Sequence, residues 1–344
     1  MQTLFIRRPD DWHVHLRDGD VLQHTVPATA RHFARALVMP NLQPALTTVA
    51  TLLQYQQRIR AHLAPYPHFH PYMTLYLNGT LSADDLQLAA ASPDILGAKL
   101  YPAGATTHSG EGVVDICALY PLFEIMQAYD LVLQIHGEVT YGDIFDRERL
   151  FIETQLRRLV DDFPRLRIVL EHISTRAAVN FVQQAPANVA ATITPHHLMF
   201  HRNHLLAAGI KPHYYCLPIL KREEDQQALC TVAISGNPKF FAGTDSAPHA
   251  QSSKESPCGC AGVFSAPFAI ALYAQVFDTL DALPMLDGFL SEFGAQFYRL
   301  PLQTESLTLI KRPQIIPNSF PFGQDKVIPL AAGSTLNWSS DESS

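Results

Sequence analysis

The segment Asp11-Trp12-His13-Val14-His15-Leu16-Arg17-Asp18 places two imidazoles and a guanidinium at alternate positions. Side chains of an extended strand repeat every second residue, so we expect His13, His15 and Arg17 to project from one face. Imidazoles spaced in this way can bind one metal ion, and the planar guanidinium beside them can bind a carboxylate through two hydrogen bonds. Taken alone, the segment also fits an ordinary pair of surface or core histidines.

The composition is that of a globular chain with a large core. Of the 344 residues, 47% are hydrophobic and 17% are charged, and the net charge is -7. Such a chain is long enough for one large α/β domain or two smaller ones. The sequence shows neither a long apolar run nor a signal-peptide pattern, so we expect a soluble, cytoplasmic protein. The acidic balance, without a basic stripe, argues against nucleic acid or an anionic membrane as the main partner.

The cysteines are few and irregularly spaced, namely Cys117, Cys216, Cys230, Cys258 and Cys260. Their odd number fits a reducing compartment better than a disulfide scaffold. A structural zinc site would need a second cysteine pair beside Cys258 and Cys260, so we expect a tight loop there. The 16 histidines are spread along the whole chain. That spread is compatible with a site assembled from distant segments.

Short apolar runs alternate with helical segments along the chain. After the opening segment, the runs cover residues 36–39, 70–77, 95–101, 131–136, 167–172, 189–194 and 239–245. Helical segments between them include residues 48–62, 116–129, 147–161 and 223–235. Eight strands separated by helices predict an α/β protein with a (β/α)8 TIM barrel fold.

The last part of the chain predicts a small C-terminal appendage on this barrel. Residues 266–277 and 286–298 have helical character, and prolines then interrupt the pattern, at Pro301, Pro313, Pro317 and Pro321. We expect a single domain over residues 1–344. Residues 300–344 would form an extension packed on the barrel, ending in a frayed tail over residues 339–344.

Metal-compatible and polar side chains fall at or near the ends of these runs: His13, His15, Asn41, Lys99, His136, His172 and Asp245. The carboxyl ends of barrel strands meet at one face, where the active sites of such barrels lie. The sequence therefore predicts a metal site assembled there. Alternation places Glu171 on the opposite face of its strand from His172, and we expect structural roles for Glu171, His196 and His197.

Six stretches together resemble a known family: the opening segment, Met39-Pro40-Asn41, Gly97-Ala98-Lys99-Leu100-Tyr101-Pro102, Gln134-Ile135-His136-Gly137-Glu138, Leu170-Glu171-His172-Ile173 and Gly243-Thr244-Asp245-Ser246-Ala247-Pro248-His249. They are similar to the shorter, bacterial and fungal type of dihydroorotase, within the amidohydrolase superfamily. The resemblance runs from about residue 4 to about residue 338.

This resemblance implies a cofactor of two zinc ions. His13, His15 and Asp245 would hold the first ion, and His136 and His172 the second. Lys99 would bridge both together with a hydroxide. An ordinary ammonium has no lone pair and makes a poor metal ligand, so the resemblance implies that Lys99 is carboxylated to N6-carboxylysine. Without the family, a salt-bridged or snorkelling lysine is the simpler interpretation.

The reaction implied is the reversible cyclisation of N-carbamoyl-L-aspartate to L-dihydroorotate and water, in de novo pyrimidine (UMP) biosynthesis. Asp245 would act as the catalytic proton carrier between the attacking hydroxide and the ring nitrogen. The enzyme would thus be a hydrolase of a cyclic amide carbon–nitrogen bond. We expect a small-molecule substrate and a homodimer.

The resemblance also implies which residues bind the substrate. Arg17, Asn41 and His249 would hold its carboxylate, and the backbone near Leu217 and Ala261 would contact the pyrimidine edges. Residues 102–110 would form a lid over the site, presenting to the substrate the hydroxyls of Thr106 and Thr107.

Two alternatives stay open. A related hydrolase of another cyclic ureide, such as a hydantoin, would have less need of the carboxylate-binding residues. A non-catalytic barrel that serves as a partner in a larger assembly would not need to keep every metal ligand.

Overall fold

The eight predicted strands form one parallel sheet. The structure, a computed structural model, describes residues 2–340. After an N-terminal strand, β1 (Thr3–Arg7), the strands of the sheet are β2 (Asp10–Val14), β3 (Arg35–Val38), β4 (His70–Leu77), β5 (Ile95–Leu100), β6 (Val132–His136), β7 (Ile168–Glu171), β8 (Val189–Ile193) and β9 (Phe240–Ala242). Each strand pairs with the next along the chain.

The sheet closes where the chain leaves β9. The amide of Asp245 donates to the carbonyl of His13 at 2.9 Å, and the amide of His15 donates to the carbonyl of Ser246 at 3.0 Å. These bonds join the last strand to the first. The predicted TIM barrel is therefore confirmed, and its closing seam lies beside the histidines of the opening segment.

Helices alternate with the strands: α1 (Leu22–Ala30), α2 (Val49–Arg60), α3 (Ala83–Ala90), α4 (Tyr120–Ala128), α5 (Arg147–Phe151), α6 (Arg157–Asp162), α7 (Arg176–Gln184), α8 (Pro195–Met199), α9 (Arg202–Leu206), α10 (Glu223–Ala233), α11 (Gln251–Lys254), α12 (Ala269–Thr279) and α13 (Phe293–Phe297). A π-helical turn at Ile152–Leu156 joins α5 to α6. Among the described residues, no helix is both long and apolar enough to cross a membrane.

Alternate strand residues contribute to two different hydrophobic clusters. In β6, Val132 packs in the barrel interior with Trp12 and Phe241. Its neighbours Leu133 and Ile135 belong to the larger cluster, which includes the surrounding helices. Strands buried on both faces need apolar residues at successive positions, which is why the sequence shows runs rather than a strict alternation.

The C-terminal helix α13 closes the amino end of the barrel. Tyr298, just after the helix, stacks on Trp12 with ring centroids 4.5 Å apart. A Cβ atom on Gly294 would lie 2.0 Å from Trp12 Nε1, so this approach requires glycine. Arg35, at the start of β3, donates from Nη1 to the carbonyl of Pro301 at 2.9 Å. The opposite, carboxyl end of the barrel stays available for a site.

The remaining strands are short: β10 (Ser306–Ile310), β11 (Gln314–Ile315), β12 (Phe320–Phe322), β13 (Asp325–Val327), β14 (Thr335–Leu336) and β15 (Ser339–Ser340). Strand β10 pairs antiparallel with β1 and with β15, while β11 pairs with β14 and β12 with β13. The prediction of a frayed tail from Ser339 onward is wrong for β15, because its backbone is bonded to β10. The rest of that tail, residues 341–344, lies outside the described residues.

Candidate metal centre

Three donor atoms converge beside the closing seam. His13 Nε2 and His15 Nε2 are 3.3 Å apart, and Asp245 Oδ1 lies 3.4 Å from the first and 3.1 Å from the second. All three side chains are buried. Ligands held at 2.0–2.1 Å by a tetrahedral metal ion are about 3.3 Å apart. The triangle therefore has the size and the mixed nitrogen and oxygen chemistry that a zinc ion requires.

A second pair of imidazoles lies next to this triangle. His136 Nδ1 and His172 Nε2 are 3.2 Å apart, and the rings of His172 and His13 have centroids separated by 5.0 Å. Both side chains are buried. The structure thus brings together the four histidines and the aspartate that the sequence predicts as metal ligands, although they come from four different strands.

Lys99 lies among these residues without a hydrogen-bond partner. Its side chain is fully buried, and none of the described residues offers an acceptor to Nζ. Burial lowers the pKa of Lys99 to about 8, although the carboxylates of Glu171 and Asp245 oppose that change. A buried charge without a hydrogen-bonded partner is costly, so this environment favours the neutral amine.

Several residues of the site have left-handed backbone conformations that are uncommon outside glycine. The φ angles are +60° at Arg17, +42° at His172 and +44° at Asp245. Such conformations cost energy and cluster at functional sites. They also correct one expectation, because the turn at His172 breaks the strand alternation. Glu171 and His172 therefore both reach the site instead of lying on opposite faces.

Glu171 orients one of the predicted ligands. Its Oε2 atom lies 2.9 Å from His13 Nδ1 and accepts a hydrogen bond from Thr192 Oγ1 at 2.6 Å. When His13 donates from Nδ1, its Nε2 lone pair is directed toward Asp245. Burial, followed by the charge of Lys99, lowers the pKa of His13 to about 4, which keeps the imidazole neutral and able to bind a metal. In the sequence, the position of Glu171 directly before the predicted ligand His172 is the signal that could have indicated this role.

The predicted carboxylate-binding residues lie on one side of this centre. Arg17 donates from Nη2 to His249 Nε2 at 2.9 Å and from Nε to the carbonyl of Pro248 at 2.9 Å. Asn41 and Arg17 line the same cavity as the metal-compatible residues His15 and Asp245. The structure therefore places a permanent cation within the cavity.

The loop after β5 covers the cavity. Asn41 Nδ2 donates to the carbonyl of Thr107 at 3.3 Å, and Thr107 Oγ1 donates to the carbonyl of Ala261 at 3.2 Å. Thr106, Thr107, Leu217 and Ala261 all contribute to the cavity wall. The enclosed volume is about 20 Å³, which is room for about one water molecule. The loop that the sequence predicts as a lid therefore lies over the cavity.

A second group of metal-compatible residues follows β8 and comprises His196, His197 and Cys216, which we call the histidine–cysteine cluster. His197 uses both ring nitrogens, with Thr194 Oγ1 at 2.8 Å and the Pro218 carbonyl at 3.0 Å. Neither ring nitrogen of His196 has a hydrogen-bond partner among the described residues. Burial raises the pKa of the Cys216 thiol to about 12. The thiol of Cys216 is therefore neutral, and both ring nitrogens of His197 are already hydrogen-bonded, which favours the predicted structural role of His197.

A larger cavity lies away from both groups. It measures about 550 Å³ and is bounded by α1, the start of α12 and the hairpin β12–β13. Its lining contains no aspartate or glutamate among the described residues. The small cavity beside the buried histidines, not this larger one, therefore has the polar groups that chemistry requires.

Comparisons with known proteins agree with this geometry. The amidohydrolase family model matches residues 55–207. The chain is 56% identical over 340 residues to the dihydroorotase of Coxiella burnetii, covering 98% of each chain. It is 54% identical over 338 residues to that of Nitrosococcus oceani, again covering 98% of each. The crystal structure of Saccharomyces cerevisiae dihydroorotase in complex with 5-fluoroorotic acid superposes with a TM-score of 0.91, at 37% identity and 99% coverage of each chain.

Proposed function

We propose a reaction for this chain, which belongs to the dihydroorotase family and is a hydrolase of a cyclic amide carbon–nitrogen bond. It interconverts N-carbamoyl-L-aspartate and L-dihydroorotate. The proposed reaction is zinc-dependent and belongs to de novo pyrimidine (UMP) biosynthesis. The observation that carries the proposal is the convergence of four histidines, a lysine and an aspartate at one end of the barrel. We call His13, His15, Lys99, His136, His172 and Asp245 the metal cluster.

Within the metal cluster, we propose that His13, His15 and Asp245 hold one zinc ion, and His136 and His172 hold another. Lys99, carboxylated to N6-carboxylysine, would provide oxygen ligands for both. Support for this modification comes from the pKa of about 8, because the neutral fraction of the amine near physiological pH is then much larger than in an ordinary lysine, and the neutral amine can attack carbon dioxide. Bound zinc would supply a hydroxide at neutral pH and would polarise the substrate carbonyl.

Asp245 is the proposed carrier of the proton. In hydrolysis its carboxylate accepts a proton from the attacking hydroxide and gives it to the ring nitrogen that leaves. In the biosynthetic direction it takes the proton from the carbamoyl nitrogen and returns it to the departing oxygen. Burial raises the pKa of Asp245 from its usual value, against the opposing influence of His13 and Lys99, and this makes the carboxyl a better proton acceptor.

Substrate recognition depends on a carboxylate that does not react. Arg17 provides a partly buried charge, and we propose that it binds this carboxylate together with Asn41 and His249. Thr106, Thr107, Leu217 and Ala261 would contact the rest of the substrate from the cavity wall. A volume of about 20 Å³ does not admit such a molecule, so the loop of Thr106 and Thr107 has to open before binding.

The wider setting is also a proposal. We propose a cytoplasmic homodimer in which residues 1–344 form one domain and residues 300–344 its C-terminal extension. All five cysteines are free thiols, which suits a reducing compartment. Light scattering of the purified protein would test the assembly.

The decisive experiment is an assay of the zinc-loaded protein with N-carbamoyl-L-aspartate and with a hydantoin that lacks a carboxylate. We expect turnover of the first alone. The Arg17→Ala variant should raise KM for the acidic substrate by about 10- to 100-fold, since hydrogen bonds to charged groups contribute about 1.5–3 kcal/mol. Turnover of hydantoin alone would assign the chain to another ureide. Full metal loading without any turnover would indicate a non-catalytic barrel.

A further inference from the structure

A buried ion pair contacts the metal cluster from outside. Glu138 Oε2 lies 3.0 Å from His136 Nε2, the ring nitrogen that faces away from His172. Glu138 Oε1 lies 3.6 Å from Lys221 Nζ. The side chains of Glu138 and Lys221 are each only 1% exposed. The three residues thus form a continuous polar chain from Lys221 to a predicted zinc ligand.

The contact with Glu138 determines which tautomer His136 adopts. An ionised carboxylate can only accept hydrogen bonds, so the proton of the neutral imidazole lies on Nε2. The lone pair then lies on Nδ1, and this atom is 3.2 Å from His172 Nε2. Without the carboxylate, the ring would be free to exchange tautomers, and the other tautomer would turn an N–H group toward the second metal position.

Lys221 supplies the charge that keeps Glu138 in place. Its Nζ atom also donates to the carbonyl of Ile219 at 3.1 Å, which fixes the ammonium beside the carboxylate. Glu138 Oε1 has no hydrogen-bond partner among the described residues, so the lysine is its nearest compensation. A buried carboxylate without a countercharge would be strongly disfavoured. Loss of Lys221 should therefore affect His136 even though the two residues do not touch.

The two members of the ion pair, Glu138 and Lys221, come from different parts of the barrel. Glu138 follows β6, and Lys221 lies in the segment that connects α9 to α10. Leu217, which lines the small cavity, belongs to the same segment as Lys221. The ion pair therefore connects a wall of the cavity to the predicted ligand of the second zinc ion.

We propose that Glu138 and Lys221 are positioning residues that orient His136 for the second metal ion, an inference that rests on the proposed zinc-dependent function. Glu138 acts through its hydrogen bond, and Lys221 acts through Glu138. A carboxylate that fixes the outer nitrogen of a metal-binding histidine typically changes metal affinity by about 10- to 100-fold. Neither residue touches the reacting atoms.

Metal affinity provides the test. Zinc-free protein is titrated with Zn²⁺ against a competing chelator, and with Co²⁺ while its visible absorption is recorded. In Glu138→Gln we expect one of two sites to weaken by about 10- to 100-fold, with an altered Co²⁺ spectrum, while the other site is unchanged. Lys221→Met should weaken metal binding at the same site, whereas Lys221→Arg keeps the positive charge and should retain the wild-type affinity.

Glu148→Gln is the matched control. Glu148 is also a buried carboxylate at the carboxyl end of the barrel, but it accepts hydrogen bonds from Ser174, at 2.9 Å from the amide, and from Thr175. It has no contact with an imidazole among the described hydrogen bonds. We expect Glu148→Gln to bind both metal ions like the wild type. Glu148 also interacts electrostatically with Lys221 and Glu138. Equal weakening in Glu138→Gln and Glu148→Gln would overturn the proposal, because loss of a buried charge near Lys221, and not loss of the hydrogen bond to His136, would then explain the effect.

Two further results separate the possible failures. If Glu138→Gln binds both metal ions with wild-type affinity, the positioning role is overturned. If Glu138→Gln does not fold, wild-type metal affinity in Lys221→Met overturns it instead. The thermal transition of the zinc-free proteins establishes which variants are folded. If the wild type binds two metal ions but does not convert N-carbamoyl-L-aspartate, the proposed function fails while the affinities still decide the inference.

Discussion

The metal cluster and the histidine–cysteine cluster lie at the same end of the barrel and both consist of close, buried ligand types. In the metal cluster, His13 Nε2 and His15 Nε2 face Asp245 Oδ1 at 3.4 and 3.1 Å. In the histidine–cysteine cluster, His197 has both nitrogens hydrogen-bonded, and the thiol of Cys216 donates to the carbonyl of Pro218 at 3.2 Å. Proximity of histidines is common to the two groups.

The difference teaches that an anionic donor and a carboxylate that orients a ligand, more than the spacing of histidines, distinguish a metal site from a packed core. Asp245 is an anionic donor, whereas a thiol with a pKa of about 12 stays protonated. Glu171 holds the outer nitrogen of His13 at 2.9 Å and leaves the inner one available. The histidine–cysteine cluster has no carboxylate in this role among the described contacts.

The largest expected effect is on turnover, from Asp245→Asn in the metal cluster. An amide cannot carry the proton, so we expect kcat for dihydroorotate to fall by about 10²- to 10⁴-fold. The thermal transition of the zinc-free protein should change little. Steady-state kinetics and calorimetry check both statements. A kcat within tenfold of the wild type would remove Asp245 as the proton carrier.

The next effect is on metal content, from Lys99→Arg. Arginine keeps the positive charge, has no lone pair and cannot form the carbamate, so we expect loss of at least one of two zinc ions. Native mass spectrometry would measure the metal and, in the wild type, the added mass of one carbon dioxide. Two bound zinc ions in Lys99→Arg would contradict the bridging role.

The histidine–cysteine cluster predicts a pH dependence of stability instead. Burial, followed by the charge of Lys221, lowers the pKa of His197 from 6.5 to about 4. Between these values the unfolded chain binds a proton that the folded chain excludes, so stability decreases as the pH falls. The expected slope is roughly 1.4 kcal/mol per pH unit.

This slope is the contribution of His197 alone, because burial also lowers the pKa of His13 and raises that of Asp11. Urea unfolding of the zinc-free wild type and of His197→Gln at several pH values between 6.5 and 4 would isolate it as the difference between the two slopes. His197→Gln removes the titrating group, and its free energy of unfolding should depend less steeply on pH by that amount. An unchanged slope would show that His197 is not excluded from protonation in the folded chain.

The smallest effect is expected for Cys216→Ala. The thiol is buried and neutral, so its loss should leave the number of tightly bound metal ions per chain unchanged after dialysis. Atomic absorption of dialysed protein tests this expectation. If Cys216→Ala loses one metal ion, Cys216 is a metal ligand, and the histidine–cysteine cluster is a metal site like the metal cluster.

Much of the barrel could be predicted because its signals are local. Strand β4 begins and ends where its apolar run does, and Thr48 caps α2 by accepting from the amide of Thr51 at 3.3 Å. The ligand residues could be located because the carboxyl ends of parallel strands meet at one face. Their roles in binding and catalysis stay predictions.

Other features depend on backbone turns or on distant partners and could not be predicted. The φ angle of +42° at His172 brings its imidazole to the same site as Glu171, against the strand alternation. The tail strand β15 has only two residues, and its partner β10 lies about 30 residues earlier in the chain. The contact that Thr107 makes across the cavity likewise depends on a carbonyl of Ala261, which no side-chain pattern indicates.

The pairing of β1 with β10 constrains the order in which the chain can fold during synthesis. Thr3 aligns with Ile310 and Arg7 with Ser306, so β1 pairs with a strand that the ribosome makes about 300 residues later. At the usual rate of about 5–20 residues per second, β1 waits on the order of 15–60 seconds as an unpaired edge. Its exposed position Phe5 is apolar, and such edges favour aggregation. Nascent chains halted before residue 306 should therefore require chaperones more than complete ones.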